Sequence, residues 1–98
     1  MPTYINLLRF TDRGAQALGK SAARAATFAK AAEKAGVQVV AQYWTVGAWD
    51  GVLILSAASE EPMLRCLANL SAAGNVRTQT LTAFDATQFA KTTGGRAR

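Results

Sequence analysis

The chain reads as an α+β domain whose elements follow the order β-α-β-β-α-β, with a short helix appended. Three observations predict this. Four runs rich in β-branched, aromatic and aliphatic residues occur along it: TYINLLRF, VQVVAQYWTV, VLILS and VRTQTLTA. An alanine-rich segment parts the first two runs and a leucine-bearing segment parts the last two, each long enough for a helix. The middle two are joined only by GAWDG, which has room for a turn and nothing more.

Each element has a local cause. TYINLLRF, at residues 3–10, is short enough for one strand. Asp12 is expected to cap a brief helical turn over residues 13–18, stopped by Gly19. Ser21 then stands where an N-cap belongs. The helix that follows, residues 22–35, carries alanine at most inward positions and Phe28 as its one large anchor, and Gly36 stops it. Residues 37–46 form the second strand and 52–56 the third, a hairpin around Gly47 and Gly51. Ser59, Glu60, Glu61 and Pro62 start a helix, since carboxylates and proline suit its positive end. It runs to about Ala73, with Met63, Leu64, Leu67 and Leu70 expected inside, and Gly74-Asn75 ends it. Residues 76–83 are the fourth strand. Asp85 caps a last helix through Lys91.

This order is the ferredoxin-like split βαβ arrangement, with a four-stranded antiparallel sheet and both main helices on one face. The other face must then be covered differently. Tyr4, Leu8 and Phe10 alternate with Ile5 and Leu7, so both faces of strand one are largely apolar, and strand three is apolar on both faces too. Such a sheet meets a partner, and a homodimer with sheets packed face to face is expected.

Composition narrows the function. The chain has 98 residues, half of them hydrophobic, and one domain is expected, with residues 1–91 as its body and 92–98 as a flexible basic tail. No apolar run approaches the roughly 20 residues that span a bilayer, and MPTYINLLRF, with no basic start before a long apolar run, is not expected to act as a signal peptide. The cytoplasm is the expected location, and the single cysteine, Cys66, has no internal partner. The net charge is +5, but three of the basic residues, Lys91, Arg96 and Arg98, lie at the end. The rest carries eight basic against six acidic side chains, without a basic stripe, so nucleic acid is not an expected partner. There is no histidine, which excludes Ser-His and Cys-His dyads and imidazole metal sites. No metal and no cofactor is expected.

The segments FTDRG at 10–14, GAWD at 47–50 and GNVRTQT at 74–80 resemble the GYD-domain family of small bacterial proteins, as do Phe84-Asp85 and Phe89. The resemblance covers residues 1–91. It implies a ferredoxin-like fold of the dimeric α/β-barrel type, and it leaves activity unassigned. Trp49 stands where the family's naming tyrosine is expected, so any chemistry needing that phenol is lost.

Several residues are candidates for a site. GAQALGKS, residues 14–21, fits the spacing G-x-x-x-x-G-K-S/T of a phosphate-binding loop. Its middle residues are helix formers, and no strand supplies a metal-holding aspartate, so Ser21 reads as a cap and Lys20 as a surface charge. Asp50, the one acid between Glu33 and Glu60, is either a turn residue or a general base at a pocket mouth. Asn6 is unusual inside a strand; it either faces a cavity between sheets or bonds across a dimer. Tyr43, Trp44 and Trp49 complete a candidate ligand-binding set with Asn6. The leading reading is a homo-oligomeric module that binds a small ligand or another protein. The alternative is a cofactor-independent oxygenase or isomerase, with Asp50 as base and Asn6 and Tyr43 orienting substrate between sheet and partner.

Overall fold

The structure, a computed structural model, describes residues 2–94. Of the tail expected at 92–98, residues 95–98 lie outside the described residues. The elements are β1 (Thr3–Phe10), α1 (Asp12–Gln16), a 3-10 turn (Leu18–Lys20), α2 (Ser21–Lys34), β2 (Val37–Trp44), β3 (Gly51–Ala57), α3 (Glu60–Ala72), β4 (Val76–Ala83) and α4 (Ala86–Thr92). The strands form one antiparallel sheet in the order β2-β3-β1-β4. This is the expected α+β, ferredoxin-like arrangement. The two most apolar strands, β1 and β3, take the central places, where both edges are paired.

Alternation along β1 sorts the sheet into two faces. Tyr4, Leu53, Leu55 and Val37 are buried on one face, against Ala32 of α2 and Met63 and Cys66 of α3. Full burial of a side chain such as Leu53 or Leu55 contributes about 1.5–3 kcal/mol. The opposite face, with Ile5, Leu7, Val52 and Ile54, has no helix packed on it among the described residues; these side chains are half-buried. The register pairs Ile5 with Ile54 and Leu81, and Leu7 with Val52.

Some local expectations are corrected. Thr11, not Asp12, caps α1, its Oγ1 accepting from the Gly14 amide at 3.1 Å. Asp12 becomes the first helical residue, where its charge still suits the helix end. Ser21 does not cap α2: the 3-10 turn runs straight into the helix, so Ser21 is already inside it. On α3, Met63 and Cys66 are buried with Leu67 and Leu70 packed beside them, but Leu64 is 69% exposed. One residue along a helix turns about 100°, and that carries Leu64 off the inward stripe. β2 stops at Trp44, before the expected Val46. There the Thr45 amide donates to the Asp50 carbonyl at 2.9 Å and the Thr45 hydroxyl to the Trp49 carbonyl at 2.6 Å, closing the turn. Asp85 caps α4 as expected, in a reciprocal pair with Gln88.

β2 also carries an irregularity. Val39 pairs with Leu55 and Ala41 with Ile54, leaving Val40 unpaired in a bulge. The extra residue reverses parity beyond it. Gln42 and Trp44 therefore share the helix-covered face with Val39, and Tyr43 shares the open face with Val52.

Candidate functional site

The three sequence segments at 10–14, 47–50 and 74–80 converge on the C-terminal end of β1. The Phe10 amide donates to Oδ2 of Asp50 at 2.8 Å, and the Asp50 amide donates to the Leu8 carbonyl at 2.8 Å. The Thr11 amide donates to the Asn75 carbonyl at 3.1 Å, and the Thr11 hydroxyl to the Gly74 carbonyl at 2.7 Å. Arg9 adds a clamp from the open face. Its Nε and Nη2 donate to the Ala48 carbonyl, and its guanidinium lies 4.6 Å from the Trp49 ring centre. Asp50 thus serves the turn directly: one carboxylate oxygen holds the backbone of β1.

GAQALGKS does not arch around an anion. Its residues fall in α1, the 3-10 turn and the start of α2. Gly14 is buried, its amide is taken by Thr11, and a Cβ there would overlap the Asn75 carbonyl oxygen. Gly14 serves close packing between two segments. The Ser21 hydroxyl accepts from Nε1 of Trp44 at 2.9 Å, tying α2 to β2.

The candidate ligand residues do not form one set. Asn6 faces the helix layer with no exposure. Its Nδ2 donates to the Leu53 carbonyl at 3.1 Å, and its Oδ1 accepts from the Thr80 hydroxyl at 2.7 Å. It therefore neither faces a gap between sheets nor reaches across a dimer; it bridges β3 and β4 over β1, satisfying a polar group that would be costly if buried alone. Tyr43 is 60% exposed on the other face, and Trp49 lies on that face under Arg9. Trp44 and Asp50 do come together.

They stand at a cavity of about 510 Å³ between α2, α3 and the sheet. Its walls include Leu8, Phe28, Leu53 and Leu70, with Ser21 and Arg24 from the first turns of α2. Neither Asn6 nor Trp49 lines it, and Tyr43 borders it although the register turns its side chain to the open face. The sequence reading missed Arg24. Its one signal was spacing: Ser21, Arg24, Ala25 and Phe28 stand at i, i+3, i+4 and i+7, on one face of α2. Alanines around Phe28 leave room there that larger side chains would fill.

Cys66 is buried on α3. Burial pushes its thiol above the ordinary value, and the charge of Arg65 offsets part of the rise. Among the described residues, no group of three or more histidines, cysteines or carboxylates is placed to hold a metal ion. Nor, among them, is any helix long and apolar enough to cross a membrane.

Comparison with known proteins places this geometry. Residues 4–93 match the GYD domain. The chain is 38% identical over 84 residues to a protein of Thermus thermophilus described as "Glutamine synthetase and cystathionine beta-lyase binding protein". That match covers 85% of this chain and 88% of the relative. The crystal structure of TTHA0845, also from Thermus thermophilus, is similar in fold, with a TM-score of 0.57 at 24% identity, over 88% of this chain and 96% of that one. With its three characteristic segments knotted at the end of β1, the chain belongs to the GYD-domain family.

Proposed function

We propose that this protein is a cytoplasmic interaction module that pairs with a second copy through the open face of its sheet and docks on a metabolic enzyme. The open face carries the reading. Ile5, Leu7, Val52 and Ile54 form an apolar patch on the two central strands with no helix over it among the described residues, and Leu81 of β4 is exposed beside Ile5. Apolar surface of this kind is buried by association. The kind of second partner comes from the Thermus relative, whose description names two enzymes that it binds. Exposed Phe84, just after β4, and Phe89, on an α4 that packs little on the rest of the chain, offer that partner apolar contacts outside the sheet. Residues 1–91 would act as the folded unit and the basic end as an appendage.

Sedimentation equilibrium at micromolar concentration tests the first part. A dimer is expected, and Ile54→Lys is expected to give a folded monomer. A wild-type monomer would sink the sheet-to-sheet interface. Purified glutamine synthetase from the same organism, passed over the immobilised protein, tests the second part: retention supports an enzyme partner, and none removes this enzyme from the proposal.

The alternative of a cofactor-independent enzyme has Asp50 as its base. Asp50 does reach the cavity, but one of its oxygens is engaged by the Phe10 amide. Tyr43 is turned to the other face. The module reading is therefore preferred.

A further inference from the structure

We propose that the cavity between α2, α3 and the sheet binds a small apolar carboxylate, with its hydrocarbon body on Phe28, Leu53 and Leu70 and its anion at Arg24. The proposal does not depend on the interaction reading, because the cavity lies on the helix-covered face and the apolar patch on the other.

Volume comes first. Protein interiors pack as densely as organic crystals, and unfilled apolar volume costs stability. This domain has only 98 residues with which to build a core, yet it leaves about 510 Å³ open beneath its helices. That lies within the roughly 300–1,000 Å³ typical of small-molecule sites. The cause is local. Ala25 and Ala31 of α2 and Ala73 after α3 contribute only methyl groups to the walls, and α2 and α3 barely touch each other. Half-buried Leu8 thus faces a hollow rather than a large helix side chain, and Leu53, buried in the core, closes its floor.

Charge decides the ligand. Among the described residues, three charged ones line the cavity: Arg24, Lys20 and Asp50. Asp50 is engaged by the Phe10 amide. Arg24 donates from Nη1 to the Ala17 carbonyl at 2.9 Å, which anchors its side chain at the start of α2. Its Nη2 is buried and has no hydrogen-bond partner among the described residues. A buried donor without an acceptor is rare and costly in a native protein. A carboxylate beside Arg24 supplies the acceptor once the guanidinium turns toward the cavity, and guanidinium geometry suits it. Lys20 on the same rim adds a second positive charge. A cationic ligand would meet two like charges, and a neutral acceptor such as an alcohol would bond Nη2 without the charge assistance that a carboxylate brings.

Three probes with one hydrocarbon body test this: 4-phenylbutyrate, 4-phenylbutan-1-ol and 4-phenylbutylamine. Each is titrated at up to millimolar concentration into the full-length, isotope-labelled protein, and amide shifts are followed by NMR. The acid is expected to bind about tenfold or more tightly than the amine, a difference of about 1.4 kcal/mol. Its largest shifts are expected at Phe28, Leu53 and Leu70. Ala25→Leu, which narrows the cavity, should weaken the acid by about tenfold with the fold intact. Arg24→Gln should erase the preference for acid over alcohol. If Arg24→Gln does not fold, the probe series on the wild-type protein still decides. Failure of all three probes to bind overturns the proposal. So do shifts confined to Ile5 and Ile54 on the open face, and so does equal affinity for acid and amine.

Discussion

Gly14 of α1 lies so close to the carbonyl oxygen of Asn75 that no side chain fits between them. A residue that a motif search would assign to phosphate binding is instead the contact that lets the end of β1 meet the start of β4. Gly14→Ala is therefore expected to destabilise the fold by about 1–3 kcal/mol through overpacking. Gly19, the other glycine of the same octapeptide, has nothing within 4 Å of an added Cβ. Gly19→Ala should leave stability unchanged or raise it by up to about 1 kcal/mol. Thermal melts by circular dichroism distinguish the two. In the same assay, millimolar ATP with Mg²⁺ should not shift the wild-type melt; a shift would restore the phosphate-loop reading.

Asp50 gives the second prediction. Asp50→Ala removes the acceptor of the Phe10 amide and should cost about 1–3 kcal/mol. Asp50→Asn keeps a carbonyl oxygen at the same place and should recover most of that loss. Urea unfolding checks both. Equal losses in the two variants would mean that the carboxylate's charge, rather than its oxygen, holds the turn.

The Trp44–Ser21 bond gives the third. If Ser21 acted as a helix cap, Ser21→Ala would cost the same whether or not Trp44 were present. Because its hydroxyl accepts from the indole, the two losses should overlap. A double-mutant cycle of Ser21→Ala with Trp44→Phe should show a coupling of about 0.5–1.5 kcal/mol. Additive losses would return Ser21 to a local role in α2.

Cys66 gives the fourth, a pH dependence. Its thiol is raised above its ordinary value in the folded chain by burial. The unfolded chain therefore loses the thiol proton at lower pH than the folded one. The resulting stability is fully present below the unfolded value, near 9.0, and is lost as pH rises from there through the folded value. Cys66→Ala should show a flatter fall in stability over that alkaline range than the wild-type protein, as measured by denaturant unfolding at stepped pH. A parallel fall in the two proteins would disprove the linkage.

Much of this architecture was legible in the sequence. TYINLLRF and VLILS have apolar residues on both sides and belong in the centre of the sheet, where β1 and β3 lie. Gly36 and Gly74 both adopt positive φ, 86° and 80°, as stops at helix ends should. The family segments were visible as well, because they are contiguous in the chain.

What the sequence hid were relationships between distant segments. Thr11 and Asp12 are both good caps, and only the Gly74 carbonyl waiting for the Thr11 hydroxyl shows which is used. Asn6 looked like a functional residue because strands rarely carry one. Thr80 and Leu53, its partners, are far away in sequence. The cavity was hidden for the same reason. An alanine-rich face reads equally well as a helix pressed onto the sheet or as a helix over a hollow, and the position of α3 decides between them.

The bulge at Val40 reaches further than its one unpaired residue. Up to it, alternation assigns Val37 and Val39 to the helix side; past it, the assignment is inverted. The Trp44 side chain is thereby turned toward the cavity's rim and the Tyr43 side chain toward the open face, although both residues border the cavity. Strict alternation of the same residues, without the bulge, would have turned Tyr43 to the helix side and Trp44 outward. Loss of the Val40 codon, by contrast, would leave Tyr43 opposite Val52 and Trp44 opposite Gly51. By taking Val40 out of the pairing, the bulge decides which aromatic borders the pocket and which the outer surface presents.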